Sequence, residues 1–197
     1  MKVRKMILII IVLIIIAYIV PNHKTVMEQV AEVEEKIEMV VVATEEEEEE
    51  QKEITTISQN GVDFIKSKEG LILTSKKYKG EKNYTIGYGH CQSDVKASQT
   101  ITEGQAEEIL KKDLIYFSNA VVANCSYLKL NQNEFDALVS FTYNLGVGNL
   151  KQLTANGTRT KEEIANHITA YTGSGNEENR QGLLNRRNAE MQLFLGE

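Results

Sequence analysis

The sequence is short of cysteine and of positive charge, and it lacks several motifs that mark common enzyme classes. Its two cysteines, Cys91 and Cys125, fit no zinc spacing and form no CxxC pair. It contains no GxGxxG, HExxH or GxSxG motif, which argues against dinucleotide binding, zinc proteases and α/β-hydrolases. A net charge of -6 without a basic stripe argues against nucleic-acid binding. We therefore expect no metal, no cofactor and no nucleic acid among its ligands.

Residues 1–21 have the pattern of a membrane segment. Three basic residues, the last of them Lys5, precede an apolar run from Met6 to Val20 that stops at Pro21. At 1.5 Å per residue this run reaches only ~22 Å, so its length also suits a cleavable signal peptide. The run ends without a small-x-small cleavage signature, which favours an uncleaved anchor. The basic residues predict that residue 1 is cytoplasmic and that everything after Pro21 is extracytoplasmic.

Residues 22–53 are predicted to be an acidic linker, and residues 54–197 a single domain. The linker has twelve Glu against three Lys, and repulsion within the run Glu45 to Glu50 favours an extended spacer. From Ile54 onward there are 16 basic and 16 acidic residues, so the domain is electrically balanced. About 144 residues is a normal size for one domain. Outside the cytosol Cys91 and Cys125 are able to form a disulfide, with two separate thiols as the alternative.

The pattern within residues 54–197 predicts an α+β domain with five helices and one small antiparallel sheet. A short helix ends at Glu69-Gly70, and the sheet is expected within residues 71–89. Four further helices are expected from Thr102 to about Val122, from Asn131 or Asn133 to Gly146, from Thr160 to about Tyr171, and from about Arg180 to Leu195. Because strands and helices do not alternate, the sheet should lie to one side of a mainly helical body and flank a cleft.

Glu69-Gly70 is followed, sixteen residues after the glutamate, by Thr85-Ile86-Gly87-Tyr88-Gly89-His90. This pairing resembles the phage-type lysozymes, or endolysins, of glycoside hydrolase family 24. Further segments of the family pattern are similar to residues 94–114, 132–144 and 182–190, so the resemblance covers about residues 57 to 195. It implies a lysozyme-like fold and a monomeric muramidase that hydrolyses the β-1,4 bond between N-acetylmuramic acid and N-acetylglucosamine in peptidoglycan without a cofactor.

Glu69 is the candidate general acid. Glycoside hydrolysis needs a proton donor for the leaving oxygen, and the partial negative charge at a helix C-terminus disfavours an ionised carboxylate there. The resemblance implies that Thr85 places the attacking water. The second carboxylate of the family, usually an Asp, falls on Lys79 or Tyr78, neither of which is acidic. Glu81, in the same turn, is the nearest substitute and therefore the candidate second carboxylate, although a surface turn residue is the favoured interpretation of it.

Tyr88, His90 and Asn144 are candidate substrate-binding residues. Packing is an equally good interpretation of Tyr88 and Asn144, whereas bracing of Glu69 or of the hairpin is favoured for His90. For Arg186 and Arg187 we favour structural ion pairs over contacts with the peptide stem.

Two other functions remain open from the sequence. A domain that has lost its second carboxylate is able to serve as a catalytically silent wall-binding module. A lytic transglycosylase needs only one acid and releases a 1,6-anhydro sugar. In each case the partners are peptidoglycan glycan strands and, through residues 1–21, the membrane. We expect a single-pass membrane protein with an extracytoplasmic domain, or a secreted one if the segment is cleaved.

Overall fold

The computed structural model describes residues 54–173 and 177–196, and this part of the chain is mainly helical with one small sheet. In chain order the elements are α1 (Gln59–Lys68), β1 (Ile72–Lys76), β2 (Thr85–Gly87), α2 (Glu103–Cys125), α3 (Gln132–Leu145), α4 (Val147–Leu153), α5 (Lys161–Ile168) and α6 (Glu177–Leu195). The predicted membrane segment and acidic linker lie outside the described residues. None of the helices in the described ranges is long and apolar enough to span a membrane.

Helix α3 forms the centre of the helical body. Phe135, Leu138 and Phe141 are at most 1% exposed, and every residue from Glu134 to Thr142 is buried. Helices α1, α2, α4 and α6 all pack against α3, with the most extensive contact to α6. A helix that is apolar on nearly all sides must be surrounded by other elements, as its sequence predicts.

Strands β1 and β2 form the predicted antiparallel hairpin. Ile72 lies opposite Gly87 and Lys76 opposite Thr85, with an irregularity in the register between them. The outer edge of β1 is held by the segment before α2, since Ser75 donates its N–H to the carbonyl oxygen of Gln99 at 2.8 Å. The hairpin therefore projects from the helical body but is tied to it on both sides, because β2 also contacts α2.

Three of the described helices begin with a capping box, in which the side chain of the first residue accepts a hydrogen bond from the backbone N–H three residues later, and the side chain of that later residue accepts one from the backbone N–H of the first. The pairs are Thr102 with Gln105 at α2, Asn131 with Glu134 at α3, and Thr160 with Glu163 at α5. These boxes satisfy N–H groups that have no partner within a helix. Of the two predicted starts of α3, the structure has the one capped by Asn131.

The helices differ from the sequence prediction in four places, the first being α2, which ends at Cys125 rather than near Val122. Helix α4 was not predicted, because Gly146 was interpreted only as the end of α3. With φ at +80°, Gly146 instead ends α3 and starts α4 in a conformation that favours glycine. Helix α5 ends at Ile168 rather than near Tyr171, and α6 begins at Glu177 rather than near Arg180.

The two cysteines are free thiols in the structure, so the possible disulfide is not formed. Cys125 is 2% exposed in the core at the end of α2, and burial raises the pKa of its thiol to about 12. Cys91 is partly exposed and lies just after the hairpin.

Candidate active site

Glu69 is the first residue after α1, where it caps the helix. Its backbone N–H donates to the carbonyl oxygen of Ile65 at 3.0 Å, and its own backbone is extended, with φ -100° and ψ 150°. The carboxylate is 21% exposed and lines a cleft of about 490 Å³. A helix end thus places a carboxyl group at the rim of an open depression.

The Glu69 carboxylate forms an ion pair with Arg186 of α6. Arg186 Nη1 donates to Glu69 Oε1 at 2.7 Å, and the arginine side chain is only 9% exposed. The prediction from sequence rested on the helix end alone, and the structure adds this contact with a cation at the candidate acid.

Behind Arg186 lies a fully buried carboxylate, Glu190. Its Oε1 accepts hydrogen bonds from Arg186 Nε at 3.2 Å, from Arg187 Nη2 at 3.2 Å and from Ser140 Oγ at 2.8 Å. Arg187, also fully buried, has its Nε 2.9 Å from Glu190 Oε2. The expectation of structural ion pairs at Arg186 and Arg187 is thus confirmed, although Arg186 reaches the candidate acid as well.

On the hairpin, Thr85 and Glu81 contact each other, and neither is among the residues that line the cleft with Glu69. Thr85 Oγ1 donates to Glu81 Oε2 at 3.1 Å, and Cys91 Sγ lies 3.9 Å from the same oxygen. Thr85 is 7% exposed, whereas Glu81 is exposed. The turn therefore aims the Glu81 carboxylate back at Thr85, an orientation that the alternative of a surface turn residue does not require.

His90 ties the hairpin to α2 rather than bracing Glu69. Its Nδ1 lies 2.8 Å from Asp113 Oδ2, and its Nε2 lies 3.1 Å from Asp94 Oδ1. Its backbone exchanges hydrogen bonds with Ile86 of β2. Burial lowers the pKa of His90, but the hydrogen bonds with Asp113 and Asp94 outweigh burial and raise it above its ordinary value. The ring still lines the cleft, beside Glu69.

The cleft lies between the end of α1, the segment after β2 and the facing sides of α2 and α3. Its lining combines carboxylates, amides and aromatic rings: Glu69, Gly89, His90, Cys91, Gln92, Lys112, Asp113, Tyr116, Phe117, Tyr143 and Asn144. A second depression of about 660 Å³ adjoins it on the side of α6 and shares Asn144. Asn144 Oδ1 accepts a hydrogen bond from Arg187 Nη2 at 2.8 Å, so the buried arginine orients the amide group.

Tyr88 is placed differently from the other candidate substrate contacts. It is 5% exposed and belongs to the core, and its hydroxyl group donates to Glu103 Oε1 at 3.3 Å. Its carbonyl oxygen accepts a 2.6 Å hydrogen bond from the hydroxyl group of Tyr143, which does line the cleft. This placement favours packing, one of the two interpretations of Tyr88 that the sequence left open.

Sequence reasoning missed the pairing of Arg186 with Glu69, and that the same arginine also pairs with Glu190. Arg186 and Glu190 lie 117 and 121 positions away from Glu69 in the chain. Their spacing of four on one helix is a signal for an ion pair within α6, but it does not identify Glu69 as the third member. Among the described residues no group of His, Cys, Asp and Glu side chains is arranged to hold a metal ion.

Comparison with known proteins adds a family assignment to this geometry. The family model described as phage lysozyme matches residues 66–190. The endolysin of Bacillus phage PZA is 44% identical over 145 residues, which are 70% of this chain and 54% of the relative. A protein named SAR-endolysin from Bacteriophage PS119 is 30% identical over 132 residues, covering 62% of this chain and 77% of the relative.

Among solved structures, the muramidase domain of SpmX from Asticaccaulis excentricus matches with a TM-score of 0.62 and 32% identity, covering 71% of this chain and 97% of that domain. The chain spans about half the length of the phage PZA relative.

Proposed function

Because the chain belongs to the phage lysozyme family, we propose that it is a peptidoglycan-degrading lysozyme, a glycoside hydrolase that cuts the β-1,4 bond between N-acetylmuramic acid and N-acetylglucosamine. The observation that carries this proposal is a helix-end carboxyl group, Glu69, in the lining of an open cleft. On the hairpin, Thr85 donates a hydrogen bond to a second carboxylate, Glu81. The muramidase domain and endolysin names of its relatives agree with it.

In the proposed reaction Glu69 protonates the glycosidic oxygen as the bond to the anomeric carbon breaks. Thr85 binds the attacking water, and Glu81 takes up the proton that this water loses. The hydrogen bond from Thr85 Oγ1 to Glu81 Oε2 supports this division, since it turns the hydroxyl lone pairs toward a water donor. The Glu81 carboxylate also stabilises positive charge on the sugar ring. This sequence of steps is an inverting hydrolysis with two carboxyl groups.

We propose that His90 and Asn144 contact the glycan, because both line the cleft with Glu69. The amide group of Asn144 is of the right chemical type to bind an N-acetyl substituent, and Arg187 fixes its orientation. The partner is then the glycan strand of peptidoglycan. From the apolar run before Pro21 we further propose a chain anchored in the membrane and a domain that acts on the wall side.

The test uses the full-length chain in detergent and purified peptidoglycan, with mass spectrometry of the released fragments. We expect the wild type to release fragments with reducing-end muramic acid. Glu69→Gln should lose at least about 100-fold in rate, because amides cannot donate the proton, and Glu81→Gln should lose a similar factor. Glu108→Gln, an exposed glutamate of α2, is the matched control and should cleave like the wild type.

The other outcomes separate the competing functions. Full activity of Glu81→Gln would make Glu81 a turn residue and remove it from the mechanism. A 1,6-anhydro product would identify a lytic transglycosylase. Binding to the wall without any fragment release by the wild type would identify a silent binding module and overturn the proposal.

A further inference from the structure

The buried carboxylate of Glu190 has no part in the reaction proposed above, yet it accepts hydrogen bonds from three side chains next to the site. It is 0% exposed and is surrounded by Ser140, Arg186 and Arg187. Burying a carboxylate costs free energy unless cations and donors compensate. Burial raises the pKa of Glu190, while the two guanidinium groups and Ser140 act in the opposite direction. The role of Glu190 therefore depends on the arginine side chains that it holds in place.

Arg186 is shared between Glu190 and Glu69. Its Nε lies 3.2 Å from Glu190 Oε1, and its Nη1 lies 2.7 Å from Glu69 Oε1. Because a guanidinium group is planar and rigid, fixing Nε also fixes the direction of Nη1. The contact of Arg186 with Glu190 therefore orients its contact with Glu69. That second contact holds the Glu69 carboxyl group at the rim of the cleft.

The positive charges of Arg186 and Arg187 are shared between two carboxylates. Both arginines pair with Glu190, and Arg186 also pairs with Glu69. Burial lowers the pKa of Arg187, and the carboxylate of Glu190 acts against this. If Glu190 were neutral, the positive charge of Arg186 beside Glu69 would lose the carboxylate that offsets it from behind.

On the premise of the lysozyme function, we propose that Glu190 is a positioning residue for the general acid: acting through Arg186, it fixes the Glu69 carboxyl group at the cleft and limits the positive charge that this group meets. Glu190 does not touch the substrate. Its effect is to keep Glu69 able to hold the proton that the reaction requires.

Other charged and titratable groups around Glu69 come from three elements. Tyr143 of α3, Lys112 and Asp113 of α2, and His90 after β2 line the same cleft. The pKa of Tyr143 is raised by burial first and by the charges of Glu69 and Asp113 second, so its hydroxyl group stays neutral. Lys68 of α1 lies next to Glu69 in the chain, but its Nζ is placed over the Phe64 ring. All of these groups are unchanged in the variants below.

The test is the pH profile of kcat/KM on soluble glycan strands, measured with the full-length chain in detergent. In Glu190→Gln we expect the alkaline limb, where the acid loses its proton, to move to lower pH by about half a unit or more, which is a ~3-fold loss of rate on that limb. In Arg186→Gln the limb should move to higher pH. In Glu190→Asp, which keeps the charge but shortens the reach, kcat should fall several-fold with the limb nearly in place.

The matched control is Glu134→Gln, a buried carboxylate on α3 that pairs with Lys161 at 2.7 Å and has no contact with Arg186. It should lower the melting temperature but leave the limb unmoved. An unmoved limb in Glu190→Gln, together with a shift in Arg186→Gln, would overturn the proposal. If Glu190→Gln does not fold, an unchanged kcat in Glu190→Asp would overturn it instead.

A second measurement separates this proposal from the proposed function. Carbon NMR of the Glu69 carboxyl group follows its ionisation directly, without any substrate. A lower midpoint in Glu190→Gln supports the role of Glu190 even if the wild type cleaves no glycan, in which case only the lysozyme function fails. An unchanged midpoint overturns the role of Glu190 while leaving that function standing.

Discussion

At the scale of single residues, Glu69 lies between a helix end and a cation. It is the first residue after α1, and Arg186 Nη1 lies 2.7 Å from its Oε1. The arginine side chain is 9% exposed and also pairs with the buried Glu190. The groups that hold Arg186 therefore help to fix the Glu69 carboxyl group, which is why they matter to the chemistry.

The ion pair between His90 and Asp113 leads to a prediction about pH and stability. The pKa of His90 in the folded protein lies above its ordinary 6.5, because the bonds to Asp113 and Asp94 outweigh burial. The stability that this shift contributes is therefore complete below about pH 6.5 and is lost as the pH rises through the folded value. We expect Asp113→Asn to lower the free energy of unfolding by on the order of 1 kcal/mol near pH 5.5, and by less near pH 9.

Urea unfolding at the two pH values measures this difference. Asp94→Asn is the control, since the Asp94 side chain is 73% exposed, and a pair this exposed contributes only about 0–1 kcal/mol. An effect of Asp113→Asn that is equal at both pH values would show that His90 is not the partner through which Asp113 stabilises the fold.

At the scale of elements, the position of α1 depends on a close approach to α3 at Gly61. A Cβ atom at this residue would lie 2.6 Å from Asp136 Cγ and 2.6 Å from Ile57 Cγ1. Asp136 also accepts hydrogen bonds from the backbone N–H and the hydroxyl group of Ser58, which caps α1. The contact therefore sets how α1, and with it Glu69, lies against the central helix.

We predict that Gly61→Ala lowers the free energy of unfolding by about 1–3 kcal/mol, because the added methyl group forces α1 away from α3. Glycan cleavage should fall as well, at a temperature where the variant is fully folded, since Glu69 moves with the helix. Gly148→Ala in α4 is the control: a Cβ added there would meet no atom within 4 Å, and alanine favours a helix by up to ~1 kcal/mol. Wild-type stability and activity of Gly61→Ala would show that α1 adjusts without moving Glu69.

The elements also show what the sequence can and cannot predict. The starts of α2 and α5 were predicted because a capping box is a local pattern within four residues. The start of α3 was predicted only to within two residues, at Asn131 or Asn133, and the structure has it at Asn131. Helix α4 was missed because a glycine at the end of a helix is the same sequence pattern whether a loop or another helix follows. Glu69 was predicted from its place in a family pattern, whereas its pairing with Arg186 depends on tertiary packing that no local pattern records.

At the scale of the whole molecule, the apolar run from Met6 to Val20 predicts how the full-length chain behaves in cells. We expect it to sediment with membranes, to stay there in a high-salt wash and to be released by detergent, because Ile, Leu and Val partition strongly into lipid. A variant that begins at Ile54 is the control and should be recovered without detergent. Release of the full-length chain by salt alone would contradict an apolar anchor and indicate attachment through charge.

The ion pair between Glu69 and Arg186 joins the first described helix to the last, across 117 positions of the chain. A ribosome makes the amino-terminal end first, so Glu69 is present in the growing polypeptide long before its arginine has been translated. Until α6 is complete and packs against α3, the carboxyl group has neither its cation nor the buried Glu190 behind it. The order of synthesis thus delays completion of the candidate site until α6 has been translated, after the other described helices have been made.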